Sequence, residues 1–591
     1  PEELDVKTKA WLRHYFEEQI YPVVTPLAVD SGHPFPFLAN NTINAIVRIF
    51  QVQPDGTKDY KIAILPIPSV LDRIIEVPSS SNKEHRFVYL EDVISYYAIQ
   101  FFQGYGIEEA MIFRLTRDAD LEIDEEDAKD LLTEVEASLR RRRRGDAVRL
   151  EVVGGGSPEL LRTVLASVEL EEKDVYHIDG HLDCRMYFDF SNYPGYDNLR
   201  YKPFEPKIPS DLIGFEGENL LDVIRNRDIF VHHPFESFSV VEQFVAQAAV
   251  DPNVLAIKQT LYRVSGESPI IASLIKAADN GKQVTVLMEV KARFDEEHNI
   301  TMARRLEKAG CHVIYGLKGL KTHSKITMVV RREEDGIRRY VHLATGNYNG
   351  KTARIYTDCG IFTCNDEYGD DASRFFNLIS GYSDPPIWNK FIVAPLNLRE
   401  RIMDLIDEEI QCAKRGEDAY IIAKMNSLLD KKVIAKLYEA SANGVRIDLI
   451  VRGICTLRPG IVGVSDNITV RSIVGRFLEH HRLFYFRNGG NEKIFLSSAD
   501  WMPRNLNERV ELMIPIEDKR HKARIKGILD LYLVDTLKAH LMRADGSYYK
   551  VSNIEGPLSA QEELMEAANT QDSREQMTVI ERFKPMFKMK E

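Results

Sequence analysis

Two stretches of the chain carry the same landmarks in the same order. Lys258 is matched by Lys424, the Asn280-Gly281 pair by Asn443-Gly444, and His323-x-Lys325 by His480-x-Arg482. Thr345-Gly346-Asn347 falls against Ser498-Ala499-Asp500, and Asp358 falls near Glu511. An ordered internal repeat signals a duplicated unit. Around the landmarks, strand-like and helix-like runs alternate. In the first copy the pattern predicts strands at Val254–Lys258, Val284–Val290 and His312–Tyr315, with helices at Ser268–Ala278 and His298–Ala309. In the second it predicts strands at Tyr420–Lys424, Ile447–Arg452 and Lys493–Leu496, and a helix at Lys432–Ala442. This is the pattern of an α/β fold with a largely buried sheet. Two such lobes related by a pseudo-twofold bring both histidines to one cleft.

The stretch from Lys318 to Asp358 concentrates the chemistry. Ile326, Met328 and Val330 alternate after the His-x-Lys pair, a turn falls at Glu333–Gly336, and Tyr340–Ala344 returns, which predicts a hairpin. Side chains two apart on a strand share a face, so His323 and Lys325 are expected to point the same way. The Thr345-Gly346-Asn347 loop is expected to offer backbone N–H groups beside them. A neutral imidazole among cations and amide donors suits nucleophilic attack on a phosphoryl group. A lone histidine is more often a core residue, but lysine, arginine and asparagine neighbours need partners that an apolar core does not supply. Between Lys291 and Asp358 there are 14 Lys and Arg against 8 Asp and Glu, within a chain whose net charge is -13. A basic patch on an acidic protein points to an anionic ligand steered to one place.

At 591 residues the chain is expected to hold several domains. No apolar run reaches membrane-spanning length and no signal peptide is evident. Its 6 cysteines form no Cys-x-x-Cys pair, so neither a zinc framework nor a disulfide scaffold is indicated, and a reducing cytoplasm fits. Residues 1–209 mix helices and strands: a helix at Asp5–Tyr21, strands at Thr42–Gln51 and Tyr60–Leu65 flanking a turn at Asp55-Gly56, and a helix near Leu90–Gln100. Asp124–Arg144 reads as a charged helix ending in Arg140–Arg144, where cations complement the helix dipole. Gly154–Pro158 lacks the ending of a phosphate loop and reads as a turn before a helix at Glu159–Val168. Tyr201–Pro209 carries 3 prolines and reads as a linker. His232 and His233 close a short apolar strand, where a structural role is the default. Glu555–Glu591, with 8 acidic and 5 basic residues, reads as an extension or partly disordered tail.

The duplicated His-x-Lys unit followed by a small-residue loop resembles the phospholipase D superfamily. The wording resembles polyphosphate kinases of the first type more closely still. It is carried by Lys258 through Tyr262-Arg263-Val264, by Lys291-Ala-Arg293-Phe-Asp-Glu-Glu297, and by Gly319-Leu-Lys-Thr-His323-Ser-Lys325. Gly346-Asn347-Tyr348-Asn349, Lys351-Thr-Ala-Arg354, Tyr356-Thr-Asp358, Leu478-Glu-His480 and Ser497-Ser-Ala-Asp-Trp501 continue it. The resemblance implies two phospholipase D-like α/β domains in tandem, at 210–390 and 391–554, preceded by an α+β domain at 1–209 that serves oligomerisation and walls a tunnel. A C-terminal extension follows at 555–591. The family's N-terminal helical domain, which helps hold the base, has no counterpart in the sequence.

The resemblance further implies that His323 is phosphorylated and that His480 assists transfer and touches the nucleotide phosphates. Tyr356 and Arg452 would contact ATP, and Arg263 and Arg293 would belong to a Mg²⁺-phosphate site. A guanidinium has no lone pair for a cation, so these arginines are expected to grip phosphate oxygens that carry the Mg²⁺. Arg263, Arg293, Lys325, Arg354 and Arg482 are expected to neutralise the transferring group. By the repeat, Asp358 is expected to orient His323, and Glu511 to orient His480. The implied reaction is reversible transfer of the γ-phosphoryl group of ATP to inorganic polyphosphate. The implied partners are ATP or ADP, polyphosphate, and copies of the chain in a homodimer or homotetramer. No nucleic acid partner is expected, and the implied location is the cytoplasm, extending to the inner face of the membrane. Two alternatives stand beside this: a phospholipase D-like phosphodiesterase, and a polyanion-binding protein without chemistry. Arg482 stands where diesterases usually carry lysine, and a mere binder has no use for two matched histidines.

Overall fold

The computed structural model describes residues 1–79, 84–118, 131–142, 145–154, 156–264, 267–292, 295–381, 383–551 and 556–570, the side chains of 140–142 excepted. It divides into one unit made of Pro1–Ile123 and Glu136–Tyr201, and a second made of Asp124–Val135 and Lys202–Glu591.

In the first unit, Ile43–Val52 lies between Lys58–Pro66 and Gly106–Arg117 at the centre of a six-stranded sheet. Successive side chains turn to opposite faces. Ala45, Val47 and Ile49 pack with Leu12 and Phe16, while Ile46 packs with Leu160 and Val164. The helix predicted at Asp5–Tyr21 is α-helical over Val6–Tyr15, with the Asp5 carboxylate accepting from Thr8 N–H at 2.9 Å. It then widens into a π turn at Phe16–Ile20. Ser157 caps the helix Pro158–Val168. The basic run Arg140–Arg144 lies outside the described side chains, and the end of the predicted tail, 571–591, lies outside the described residues.

The second unit holds the repeat. In the first sheet, His312–Ile314, Gln283–Met288 and Val254–Leu261 run parallel; Ile326–Glu333, Gly336–Ala344 and Tyr356–Thr363 follow antiparallel. In the second sheet, Ile468–Ile473, Arg446–Val451, Tyr420–Met425, Arg482–Phe486, Lys493–Ser497 and Arg509–Ile516 reproduce that order and those directions. The alternating strands and helices predicted from the sequence lie within three residues of these elements. Helices in equivalent places are built alike. Ser268 caps Pro269–Asp279 and Asp430 caps Lys431–Ala442, and each helix is followed by a glycine at positive φ, Gly281 at 75° and Gly444 at 89°. Ile326, Met328, Val341 and Leu343 pack with Ile422, Leu483, Leu496 and Leu512 in one buried cluster, so both sheets share a core. Lys258 and Lys424 are not equivalent. Lys258 lies opposite Met328, five residues past His323, whereas Lys424 lies opposite Leu483, three past His480.

Strand exchange joins the two sheets. His323 and Lys325, predicted on a strand, instead occupy a break between Lys321–Thr322 and Ile326–Glu333. Lys321–Thr322 does not continue its own sheet. It pairs parallel with Arg509 and Val510 of the second. Reciprocally, Leu478–Glu479 pairs parallel with Tyr356 and Thr357 of the first. The chain crosses between sheets at each His-x-Lys/Arg motif.

Candidate active site

One step beyond each exchanged pair, the register sets His323 beside Glu511 and His480 beside Asp358. Nδ1 of His323 lies 2.9 Å from both Glu511 oxygens. Nδ1 of His480 lies 2.8 and 2.9 Å from the two Asp358 oxygens. The sequence expectation, Asp358 for His323 and Glu511 for His480, is therefore reversed. Each carboxylate serves the histidine of the other repeat, because the short strand before each motif is exchanged.

A small-residue loop supports each carboxylate. Thr345 Oγ1 donates to Asp358 at 2.6 Å and accepts from Cys359 N–H at 3.0 Å. Ser498 Oγ donates to Glu511 and accepts from Leu512 N–H at 3.0 Å. Asn505 adds a second donor to Glu511. Thr345 N–H is spent on the Cys359 carbonyl at 2.9 Å, so it is not among the free amides expected of this loop. Gly346 is required by space: a Cβ there would lie 2.4 Å from Asp358 Cγ.

Burial governs the titrations. Burial first, then the charges of Lys325, Arg509, Arg482 and His480, hold His323 well below the usual histidine pKa. Its imidazole is neutral at pH 7, and the proton on Nδ1 faces Glu511. Burial pushes Glu511 up, against Lys325, Arg509 and Ser498. Asp358 is held below the ordinary carboxylate value: burial opposes this, but His480, Thr345 and Arg482 together prevail. Burial and Arg482 depress His480, and Asp358 opposes them. Lys325 is buried and brought down to about 7 by desolvation, with Glu511 pulling upward and Arg482 and Arg509 downward. Its ammonium donates to the His323 carbonyl. Arg482 is clamped on Asp500 at 3.2 and 3.0 Å and reaches the His480 carbonyl at 2.9 Å and its Nε2 at 3.3 Å.

The remaining expected residues divide. The Tyr356 ring stands 5.2 Å from that of His480. Arg452 Nε donates to Asn426 at 2.7 Å, and Asn426 also donates to the His480 carbonyl at 3.2 Å. Arg263 pairs with Asp295. Arg293 lies outside the described residues. Arg354 is exposed, and its charge acts on Glu242. Reasoning from sequence missed Arg509, Asn505 and Tyr262, whose ring meets His323 edge-on at 5.1 Å. It also assigned no role to the hydroxyls of Thr345 and Ser498, although their recurrence in both repeats was a usable signal.

Sequence models of the polyphosphate kinase middle domain, C-terminal domain 1 and C-terminal domain 2 match residues 7–190, 219–385 and 391–561. A polyphosphate kinase of Halalkalibacterium halodurans is 52% identical over 93% of this chain and 77% of its own length. One from Bacillus anthracis is 51% identical over 93% and 79%. The crystal structure of polyphosphate kinase from Porphyromonas gingivalis superposes with a TM-score of 0.84 at 32% identity, covering 96% of this chain and 83% of that one. Through all of its described domains, the chain belongs to the polyphosphate kinase family.

Proposed function

We propose that this chain transfers the γ-phosphoryl group of ATP to the end of inorganic polyphosphate, reversibly, through a phosphohistidine at His323. The observation that carries the reading is the His323–Glu511 hydrogen bond through Nδ1, which leaves the Nε2 lone pair for phosphorus. As the P–N bond forms, the bond from phosphorus to the ADP oxygen breaks. The imidazole then becomes cationic, and the Glu511 carboxylate stabilises that charge. A terminal oxygen of polyphosphate next attacks the same phosphorus, the P–N bond breaks, and neutral His323 returns. One phosphoanhydride replaces another, so the step runs in both directions.

His480, whose Nδ1 is held by Asp358, is assigned to assist transfer and to touch the nucleotide phosphates. Lys325 and Arg482 meet the negative charge on the transferring oxygens. Tyr356 and Arg452 are assigned to the nucleotide. Magnesium carried by the substrate phosphates would supply charge neutralisation there, with Arg263 holding a phosphate oxygen. Arg263 offers N–H groups and no lone pair, so it fits a phosphate oxygen that itself carries the ion. The acceptor is a linear polyanion, so its binding weakens steeply with salt. Among the described residues no helix is long and apolar enough to cross a membrane. We assign the enzyme to the cytoplasm, as a homodimer or homotetramer.

The test is incubation with γ-labelled ATP. An acid-labile label on His323 and growth of long anionic polymer are expected, and His323→Ala abolishes both. Label retained in that variant refutes the assignment. A phosphodiesterase would instead cleave a diester and gain no label from ATP.

A further inference from the structure

Behind the His480–Asp358 pair lies a cluster that phosphoryl transfer does not use. His232, Cys359 and His481 bring three ligand atoms within 4.8 Å of one another. Cys359 lies directly across the antiparallel ladder from His232, and His481 follows His480 in the chain. The imidazole rings of His232 and His481 stand 5.4 Å apart and nearly perpendicular. All three residues are cut off from water, at 2%, 0% and 0% exposure.

The cluster is unsatisfied. Nε2 of His232 has no hydrogen-bond partner, and the ring nitrogens of His481 have none beyond a weak interaction with the Thr357 backbone. His233, next in the same strand, shows the ordinary solution, with Nδ1 2.8 Å from the Glu236 carbonyl. Buried polar atoms are nearly always paired, so orphaned nitrogens converging on a thiol call for a ligand. The nearby cations do not exclude a positive one. Lys424 is paired with Glu479, and Arg524 with Glu236, each at 2.7 Å.

We propose that His232, Cys359 and His481 form a binding site for a thiophilic divalent cation of the zinc type. Two imidazoles and a thiolate are the donor set that such borderline-soft ions take, with the fourth position filled by a single enclosed water. Metal–nitrogen and metal–sulfur bonds of about 2.0 and 2.3 Å in a tetrahedron need ligand atoms about 3.3–3.5 Å apart, a side-chain adjustment on the order of 1 Å from the limit seen here. On binding, the Cys359 S–H bond breaks, the proton leaves to solvent, and sulfur bonds the ion. Cys359 adjoins Asp358 and His481 adjoins His480, so the ion would fix the backbone of both members of that pair.

The site is tested on the full chain produced in minimal medium with Co²⁺ in place of zinc. Expected are one cobalt per chain, the intense visible bands of a tetrahedral ion, and a near-ultraviolet thiolate-to-cobalt charge-transfer band. Cys359→Ser removes the charge-transfer band, and Cys359→Ser, His232→Asn and His481→Asn each lower retained cobalt at least about 10-fold, the loss typical even of an outer-sphere partner. Cys184→Ser, which alters an exposed thiol, leaves the spectrum unchanged. Should Cys359→Ser fail to fold by circular dichroism, X-ray absorption on the unaltered protein decides, with one sulfur and two imidazole nitrogens expected around cobalt. Cobalt coordinated by nitrogen and oxygen alone, a charge-transfer band that survives Cys359→Ser or vanishes in Cys184→Ser, or metal-free protein with water bridging the three groups would each overturn the proposal. Metal content is read without any transfer assay, so this outcome is separate from that of the phosphohistidine.

Discussion

Lys424 and Glu479 form an ion pair 2.7 Å long with side chains only 1% and 2% exposed. Glu479 also accepts from Thr357 Oγ1 at 3.0 Å and from Gln561 of the C-terminal helix Ala560–Asn569. Removing one partner of such a pair strands a charge. Lys424→Ala is expected to destabilise the protein by about 3–5 kcal/mol in denaturant unfolding. Combining Lys424→Met with Glu479→Gln is expected to recover more than half of that loss, because no buried charge remains. A double variant as unstable as the single one would contradict this account.

Under the proposed mechanism the exchanged carboxylates separate two half-reactions. Glu511→Gln is expected to slow phosphorylation of His323 by roughly 10²–10⁴-fold, by disturbing the tautomer that leaves Nε2 free. Asp358→Asn is expected to act on His480, cutting turnover by a similar order while His323 still takes label in a single turnover. If Asp358→Asn rather than Glu511→Gln abolished labelling, the pairing described here would be wrong.

Lys325 gives the reaction an alkaline limb. In the free enzyme its ammonium is lost as pH rises through about 7, and with it the cation that the proposed mechanism assigns to the phosphoryl oxygens. The plot of kcat/KM for ATP against pH is expected to fall above that value, since kcat/KM reports groups of the free enzyme. Lys325→Arg keeps its charge and is expected to flatten the limb. Stability moves the other way. The folded pKa lies below the unfolded value of about 10.4, so the unfolded chain holds more protons between the two, and this lysine's contribution to stability rises with pH across that window. A limb unchanged in Lys325→Arg would assign it to another group.

Gly346 is a steric test of the loop. With a Cβ only 2.4 Å from Asp358 Cγ, Gly346→Ala must displace the carboxylate that holds His480. Turnover is expected to drop at least about 10²-fold, as for loss of a positioned catalytic contact. Circular dichroism is expected to be unchanged. Near-normal turnover would show that Asp358 can move without consequence.

The repeat made much of this architecture legible. Period-two alternation at Ile326–Val330 and the glycine-closed helices at Gly281 and Gly444 marked the elements correctly, because local sterics and burial dictate them. The motif histidines and the two carboxylates were also visible. Which carboxylate meets which histidine was not, since the repeat favoured Asp358 for His323 within one copy and only the exchange of Lys321–Thr322 with Leu478–Glu479 decides otherwise. The placement of His323 and Lys325 on a regular strand failed for the same reason: a chain passing from one sheet to another leaves regular geometry at the crossing. Arg354 matched a motif but is exposed, a distinction that spacing alone does not carry.

The exchange has a genetic consequence. A change at position 511 is judged by what position 323 requires, and a change at 358 by what 480 requires. Each copy therefore completes the other's histidine, so a substitution in one repeat is felt first in its counterpart.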